Sequence, residues 1–259
     1  MSLIVETIPA FQDNYLWLFF RPEDRKGWVV DPGDATPVLN RLRELDCDLV
    51  GILVTHQHPD HIGGIPQLLE HYPDIPVVGP ADIPLVSQPV KEGDCVTAAG
   101  TEFEVLAVPG HTLNHLAFYA KAGSDTPLLF CGDTLFAGGC GRLFEGTPEQ
   151  MYNSLNKLAA LPDNTQVYCA HEYTLANLAF AQAVEPENPA LKTRVEQANA
   201  LRNQQIPTVP STIGLEKQTN PFLRTASQEL RMNVSEHTGI NPADPVGLFA
   251  ATRRWKDNF

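Results

Sequence analysis

Three histidines and an aspartate fall within six residues of the segment THQHPDH (Thr55–His61): His56, His58, Asp60 and His61. Imidazole combined with carboxylate suits zinc, manganese or iron, whereas calcium and magnesium prefer oxygen ligands throughout. The cluster directly follows the apolar run Leu49–Val54, which reads as a strand buried on both faces. In extended backbone, residues two apart share a side, so His56 and His58 point the same way. Asp60 and His61 then fall at a turn, placed to face a second centre. A polar loop is explanation enough for one histidine, but not for H-x-H-x-D-H at a strand end.

Four ligands do not fill two metal sites, so further ligands are expected downstream at strand ends. His111 follows an apolar segment in VPGHT, Asp133 follows LLFCG, and His171 follows VYCA. Ligand arithmetic groups His56, His58 and His111 on one ion and Asp60, His61 and His171 on the other, with the Asp133 carboxylate between them. Three protein ligands per ion leave exchangeable positions, as in catalytic rather than closed structural sites. His115 is expected to support this set by a hydrogen bond, and His71 and His237 to be core or surface residues. Two such cations activate water and polarise a carbonyl or phosphoryl oxygen. No G-x-S-x-G nucleophile motif is present. The chemistry is hydrolysis, with ester, thioester, amide and phosphodiester all open at this point.

The elements that must position these ligands are legible as a pattern. Leu3–Glu6, Tyr15–Phe20, Trp28–Val30, Leu49–Val54, Phe103–Val108, His115–Tyr119, Leu128–Cys131 and Gln166–Cys169 read as strands. Helices are expected over Pro37–Leu45, after Gly63-Gly64 to near His71, and from Thr147 to about Leu161. Beyond residue 172 the character changes. Thr174–Val184, Pro189–Gln205, Thr225–Glu236 and Pro242–Trp255 read as helices, with Ile206–Arg224 as an ordered loop. An α/β catalytic domain over 1–172 and a smaller, mostly helical domain over 173–259 are therefore expected.

The 259 residues include 31 acidic and 18 basic ones, for a formal charge of −13. A nucleic-acid surface needs a basic face, so this balance argues against one. Five scattered cysteines without a C-x-x-C pair read as reduced thiols rather than a disulfide framework. Neither a secretory signal nor an apolar run long enough to span a bilayer is visible. A cytoplasmic chain with no membrane partner is expected, with monomer the favoured state.

T-H-x-H-x-D-H followed by His111, Asp133 and His171 resembles the metallo-β-lactamase superfamily over residues 1 to about 172. That resemblance implies an αββα sandwich with a two-metal site at one edge of two facing sheets. A finer resemblance, over the whole chain, is to the glyoxalase II (hydroxyacylglutathione hydrolase) family. It rests on FQDNY (Phe11–Tyr15), THQHPDH, PGHT (Pro109–Thr112), GDTLFAGGCGRLFEGT (Gly132–Thr147), CAHEYT (Cys169–Thr174), NPFLR (Asn220–Arg224) and RRWKD (Arg253–Asp257). It implies a thioester hydrolase converting S-(2-hydroxyacyl)glutathione, foremost S-D-lactoylglutathione, to glutathione and a 2-hydroxy acid in methylglyoxal detoxification. The implied cofactor is a pair of divalent ions, zinc first, with iron or manganese also accepted by the ligand set. Asp60 and Asp133 are the implied catalytic carboxylates. The implied glutathione contacts are Arg142, Phe144, Tyr173, Arg253 and Lys256. Some relatives carry lysine and tyrosine where this chain has Arg142 and Phe144; the charge is kept and a hydroxyl is lost. The alternatives are a lactonase, a β-lactamase, a nuclease, an oxygen-reducing diiron protein or a non-catalytic binding protein on the same scaffold. The diiron relatives usually have glutamate where this chain has His58.

Overall fold

The strand Asn14–Phe20 is buried along its whole length, and the two faces of its pleat meet different neighbours. Leu16, Leu18 and Phe20 join Val38, Leu39, Leu42, Ile65 and Leu68 in one hydrophobic cluster. Phe19, on the opposite face, meets Phe103 and Phe130 with ring centroids 5.4 and 5.2 Å away. A strand covered on both sides favours apolar residues on both faces, which is why NYLWLFF lacks the usual alternation after its opening Asn14.

This arrangement is seen in a computed structural model that describes residues 3–121, 126–241 and 243–259. Residues 1–107 and 114–132 form one compact unit, and residues 108–113 and 133–259 another. In the first unit the elements are β1 (Ile4–Ala10), β2 (Asn14–Phe20), β3 (Lys26–Val30), α1 (Ala35–Leu45), β4 (Asp48–Leu53), α2 (Pro59–Ile62) and α3 (Ile65–His71). They continue with β5 (Val77–Gly79), β6 (Gln88–Pro89), β7 (Cys95–Ala98), β8 (Thr101–Ala107), β9 (Leu116–Ala120) and β10 (Leu128–Gly132). Strands β1 to β6 lie side by side in chain order, antiparallel from β1 to β3 and parallel from β3 to β6. Strands β7 to β10 form an antiparallel meander in a second sheet. Phe19 of β2 against Phe103 of β8 and Phe130 of β10 forms a seam between the two sheets. Helices α1 and α3 cover the other face of the first sheet through the cluster above. Helix α1 is capped by the Asp34 carboxylate, which accepts from the Thr36 N–H, and it ends at Asp46 in the left-handed region.

The second unit contains β11 (Leu135–Phe136), β12 (Gly139–Cys140), α4 (Pro148–Ala159), β13 (Gln166–Cys169), α5 (Thr174–Val184), α6 (Pro189–Asn203), β14 (Ser211–Thr212), α7 (Ile213–Thr219), α8 (Gln228–Thr238) and α9 (Pro245–Asp257). Helix α4 starts on a capping box, with Thr147 accepting from the Gln150 N–H and the Gln150 side chain bonding back to the Thr147 N–H. The expected loop Ile206–Arg224 is partly regular. Its Ser211 and Thr212 pair with Val167 and Gln166 of β13, and Thr212 then caps α7 by accepting from the Leu215 N–H. Helix α8 starts three residues later than the sequence pattern suggests, because Ser227 supplies the cap for the Leu230 N–H. Helix α9 starts at Pro245, behind Asp244; Pro242, the start expected from sequence, lies outside the described residues.

Candidate metal centre and its surroundings

In the first unit, the strand feeding the histidine cluster ends at Leu53, and the chain runs without regular structure to His58, which is extended. Pro59 opens the four-residue helix α2 with His58 at its N-cap, and that single turn carries Asp60 and His61. The turn lies tightly on the loop after β3: a Cβ on Gly33 would sit 1.8 Å from the Asp60 carbonyl oxygen, so only glycine fits there.

The buried Asp31 organises this half of the ligand set. Its carboxylate accepts from the Thr55 N–H and the Thr55 hydroxyl, both at 2.7 Å, and lies 3.0 Å from His61 Nδ1. The Thr55 hydroxyl, having donated to Asp31, accepts from His56 Nδ1 at 3.0 Å. Both rings therefore carry their proton on Nδ1, which leaves Nε2 with a lone pair. His56 Nε2 lies 3.0 Å from His58 Nδ1, so the two histidines expected to share a side do meet. Asp31, His56 and His61 offer ligand atoms within 4.8 Å of one another. Asp60 lies beside them, its carboxylate 3.5 Å from His61 Nε2 and accepting from Asn14 Nδ2 at 2.9 Å. The hydrogen bond from the Asn14 amide favours the charged form of the Asp60 carboxyl. His115 stacks on His56 with centroids 4.6 Å apart, a supporting position.

The second unit brings its own donors together. The Asp133 carboxylate lies with one oxygen 3.3 Å from His111 Nε2 and the other 3.4 Å from His171 Nε2. His111 Nδ1 donates to the Arg142 carbonyl at 2.8 Å, so this ring too presents its Nε2 lone pair. A Cβ on Gly141 would fall 2.0 Å from the Asp133 carbonyl oxygen, which explains a glycine where this loop returns past the carboxylate. His171 belongs to a cluster of three rings. Tyr173 stacks on it at 4.7 Å with 3° between the rings, and Phe136 meets it edge-on at 5.8 Å.

The expected glutathione contacts all belong to this second unit, in different states. Phe144 is 63% exposed and sets its ring edge-on to His111 at 5.2 Å. Tyr173 is partly exposed. The Arg142 side chain is largely exposed, 3.8 Å from Asp257. Arg253 is buried; it donates to the Cys140 carbonyl at 2.9 Å, pairs with Asp257 at 2.9 Å and lies over the Phe222 ring. Lys256 donates to the Ala176 carbonyl at 3.2 Å. Burial, then the charges of Arg253 and Arg142, lower the pKa of its amine.

Three of the buried imidazoles have Nδ1 fixed by an oxygen partner and Nε2 turned toward other donor atoms, the arrangement of metal ligands supported from behind. The donor set thus fits divalent cations with N/O preference. Sequence reasoning missed Asp31, which sits in a DPG turn, and Asn14, which sits inside the FQDNY motif. Asn14 carried a signal, since it opens a buried strand where an unpaired polar side chain is costly.

Residues 13–171 match the family model for the metallo-β-lactamase superfamily, and residues 172–259 match that for the hydroxyacylglutathione hydrolase C-terminus. A hydroxyacylglutathione hydrolase from Photobacterium profundum is 53% identical over 259 residues, covering 99% of this chain and 100% of its own length. This chain belongs to the hydroxyacylglutathione hydrolase family. Another family member, from Pseudomonas entomophila, is 52% identical over 98% of this chain and 99% of its own. Among solved structures, ETHE1 from Myxococcus xanthus superposes with a TM-score of 0.65 at 25% identity, covering 98% of each chain. A second chain, crystallised in a di-iron-bound form, gives 0.60 at 27% identity, covering 85% of this chain and 100% of its own. The two sheets and their helices are those of the metallo-β-lactamase fold, and the hydroxyacylglutathione hydrolase C-terminal region is the helical run from α5 to α9.

Proposed function

We propose that this member of the hydroxyacylglutathione hydrolase family hydrolyses S-(2-hydroxyacyl)glutathione, foremost S-D-lactoylglutathione, to glutathione and a 2-hydroxy acid. The reading is carried by the buried imidazoles of His56, His61 and His111, each oriented by an oxygen at Nδ1, together with the full-length likeness to named hydrolases. We assign His56, His58 and His111 to one divalent ion and Asp60, His61 and His171 to the other, with Asp133 shared. Zinc is the first choice, and iron or manganese suits the same donors. When bound, two such ions lower the pKa of water and stabilise negative charge on a carbonyl oxygen.

The chain's own residues do the rest. Asp31 and Thr55 hold His61 and His56 in the tautomer a ligand needs. Asp60, braced by Asn14, orients the attacking water by accepting its hydrogen bond. As the water oxygen bonds to the thioester carbon, one of its protons passes by way of the Asp60 carboxylate to solvent; the C–S bond breaks, and sulfur leaves as the glutathione thiolate. Because a thiolate is a weak base compared with an amide or alkoxide leaving group, the step needs no separate acid. Arg142 and Lys256 supply positive charge for the glutathione carboxylates, Phe144 and Tyr173 supply apolar walls, and Arg253 fixes the Cys140 backbone beside them. Catalysis is thereby given to residues 1–172, and substrate recognition to residues 173–259 together with Arg142 and Phe144. Five free thiols support a reducing, cytoplasmic location, and among the described residues no helix is long and apolar enough to cross a membrane.

The test is a panel of S-D-lactoylglutathione, a lactone, a β-lactam and a phosphodiester, with elemental analysis of the same preparation. The thioester is expected to be turned over fastest, with close to two equivalents of metal; turnover of the phosphodiester alone refutes the substrate class. A second expectation concerns Asp133→Ala, in which turnover should collapse together with metal content. Normal turnover of that variant would remove Asp133 from the centre.

A further inference from the structure

Among the described residues, the first unit exposes one large hydrophobic side chain, Phe11, at 59%. It occupies the three-residue loop between β1 and β2, whose last facing pair is Ala10 with Asn14. Its backbone lies at φ +50°, in the left-handed region where a bulky side chain is strained and where Asn, Asp or Gly fits better. The fold gains nothing evident from this choice: the ring is exposed to water and the backbone is disfavoured. Such outliers persist where a function holds them. The loop is also anchored, because the buried Asn14 that ends it donates to the Asp60 carboxylate at 2.9 Å.

We propose that Phe11 is a specificity residue, its exposed ring forming the apolar wall against which the acyl group of the thioester packs. The inference rests on the hydrolase reading above and deepens it. In that reading the glutathione half of the substrate goes to Arg142, Phe144, Tyr173 and Lys256, all in the second unit. The acyl half, on the other side of the reacting carbon, then needs its own contact near Asp60, and Phe11 is the exposed apolar side chain on a loop tied to that carboxylate. The class of substrate favoured is a 2-hydroxyacyl group bearing hydrocarbon, rather than the bare glycoloyl group.

The experiment compares wild type with Phe11→Gly on S-glycoloyl-, S-lactoyl- and S-mandeloylglutathione, and follows thermal unfolding of both proteins stripped of metal. Glycine relieves the left-handed strain, so the melting temperature should rise. Loss of the ring should lower kcat/KM for the mandeloyl substrate about tenfold relative to the glycoloyl one, the scale of a lost hydrophobic contact. Metal content should stay the same. An unchanged ratio of the two specificity constants overturns the proposal. So does a lower melting temperature with an unchanged ratio, which would mean that the ring serves the fold. If wild type turns over no glutathione thioester at all, it is the hydrolase reading that has failed, and the acyl contact falls with it.

Discussion

At the residue scale, the centre depends on groups that never need to touch the metal. Asp31 is the clearest case. Its carboxylate gathers three donors, from the Thr55 backbone, the Thr55 hydroxyl and His61, and through Thr55 it also sets the His56 ring. Replacing it with asparagine keeps the shape but offers an N–H where His61 Nδ1 needs an acceptor. Losses of about 10–100-fold in metal affinity or activity are typical for such partners. Asp31→Asn should therefore show a metal affinity weakened to that extent, measured by competition with a chromogenic chelator, while its far-ultraviolet circular dichroism stays native. Unaltered affinity would mean that the ring orientation is fixed by packing alone. The ligands themselves were readable in the sequence because imidazole is rare and its spacing here is informative. Asp31 was not, because an aspartate before Pro-Gly looks the same whether it starts a turn or anchors a histidine.

At the element scale, the hairpin of β11 and β12 shows what a pattern of apolar residues does not reveal. Two-residue strands carry no periodicity, so FAGGC shows no strand pattern; the structure pairs Leu135 with Cys140 and Phe136 with Gly139. Its stability comes from side chains far along the chain. Glu216, fully buried, accepts from the Gly138 N–H at 2.9 Å, and Asn220 donates to the Phe136 and Gly139 carbonyls at 3.2 and 2.8 Å. Asn220, Arg194 and Ser211 also donate to the Glu216 carboxylate. The helix carrying Glu216 lies in the stretch expected to be an ordered loop, since its Thr- and Gly-containing start hides a capped turn. Removing one partner of a buried ion pair costs about 3–5 kcal/mol, whereas replacing both with apolar residues is far milder. Glu216→Ala should lower the urea midpoint steeply, and Arg194→Met with Glu216→Leu should recover much of the loss. Because the hairpin presents Phe136 to His171 and Tyr173, the single variant should also raise KM in conditions where it remains folded. A single variant no less stable than the double would show that the pair is not what holds the hairpin.

At the scale of the whole molecule, the balance of 31 acids against 18 bases makes the basic side chains near the C-terminus stand out, yet charge alone overstated their freedom. RRWKD reads as an open basic patch, but Asp257 within it neutralises Arg253 and approaches Arg142, so exposed positive charge rests mainly on Arg142 and Arg254. Burial also shapes how the folded state responds to alkali. It pushes the Cys140 thiol from 9.0 up to about 11, against the opposing pull of Arg253, and Cys169 up to about 12. Burial likewise raises the Tyr168 phenol from 10.0 to about 12. In each case the folded chain holds its proton more tightly than the unfolded chain does. Between pH 9 and about 12 the unfolded state therefore binds fewer protons, and stability falls as pH rises through that window. Below pH 9 the contribution is fully present. The urea midpoint should consequently drop between pH 8 and 10.5, and Cys140→Ala together with Cys169→Ala should drop less, since two of the groups that lose their protons more readily on unfolding are gone. At pH 8 the same shifts keep both thiols protonated, so a thiol reagent should label the exposed Cys95 first and the buried ones only as the chain unfolds. A double variant whose alkaline slope matches wild type would assign the loss of stability to other groups, and rapid labelling of Cys140 or Cys169 in the native state would show that burial does not protect them.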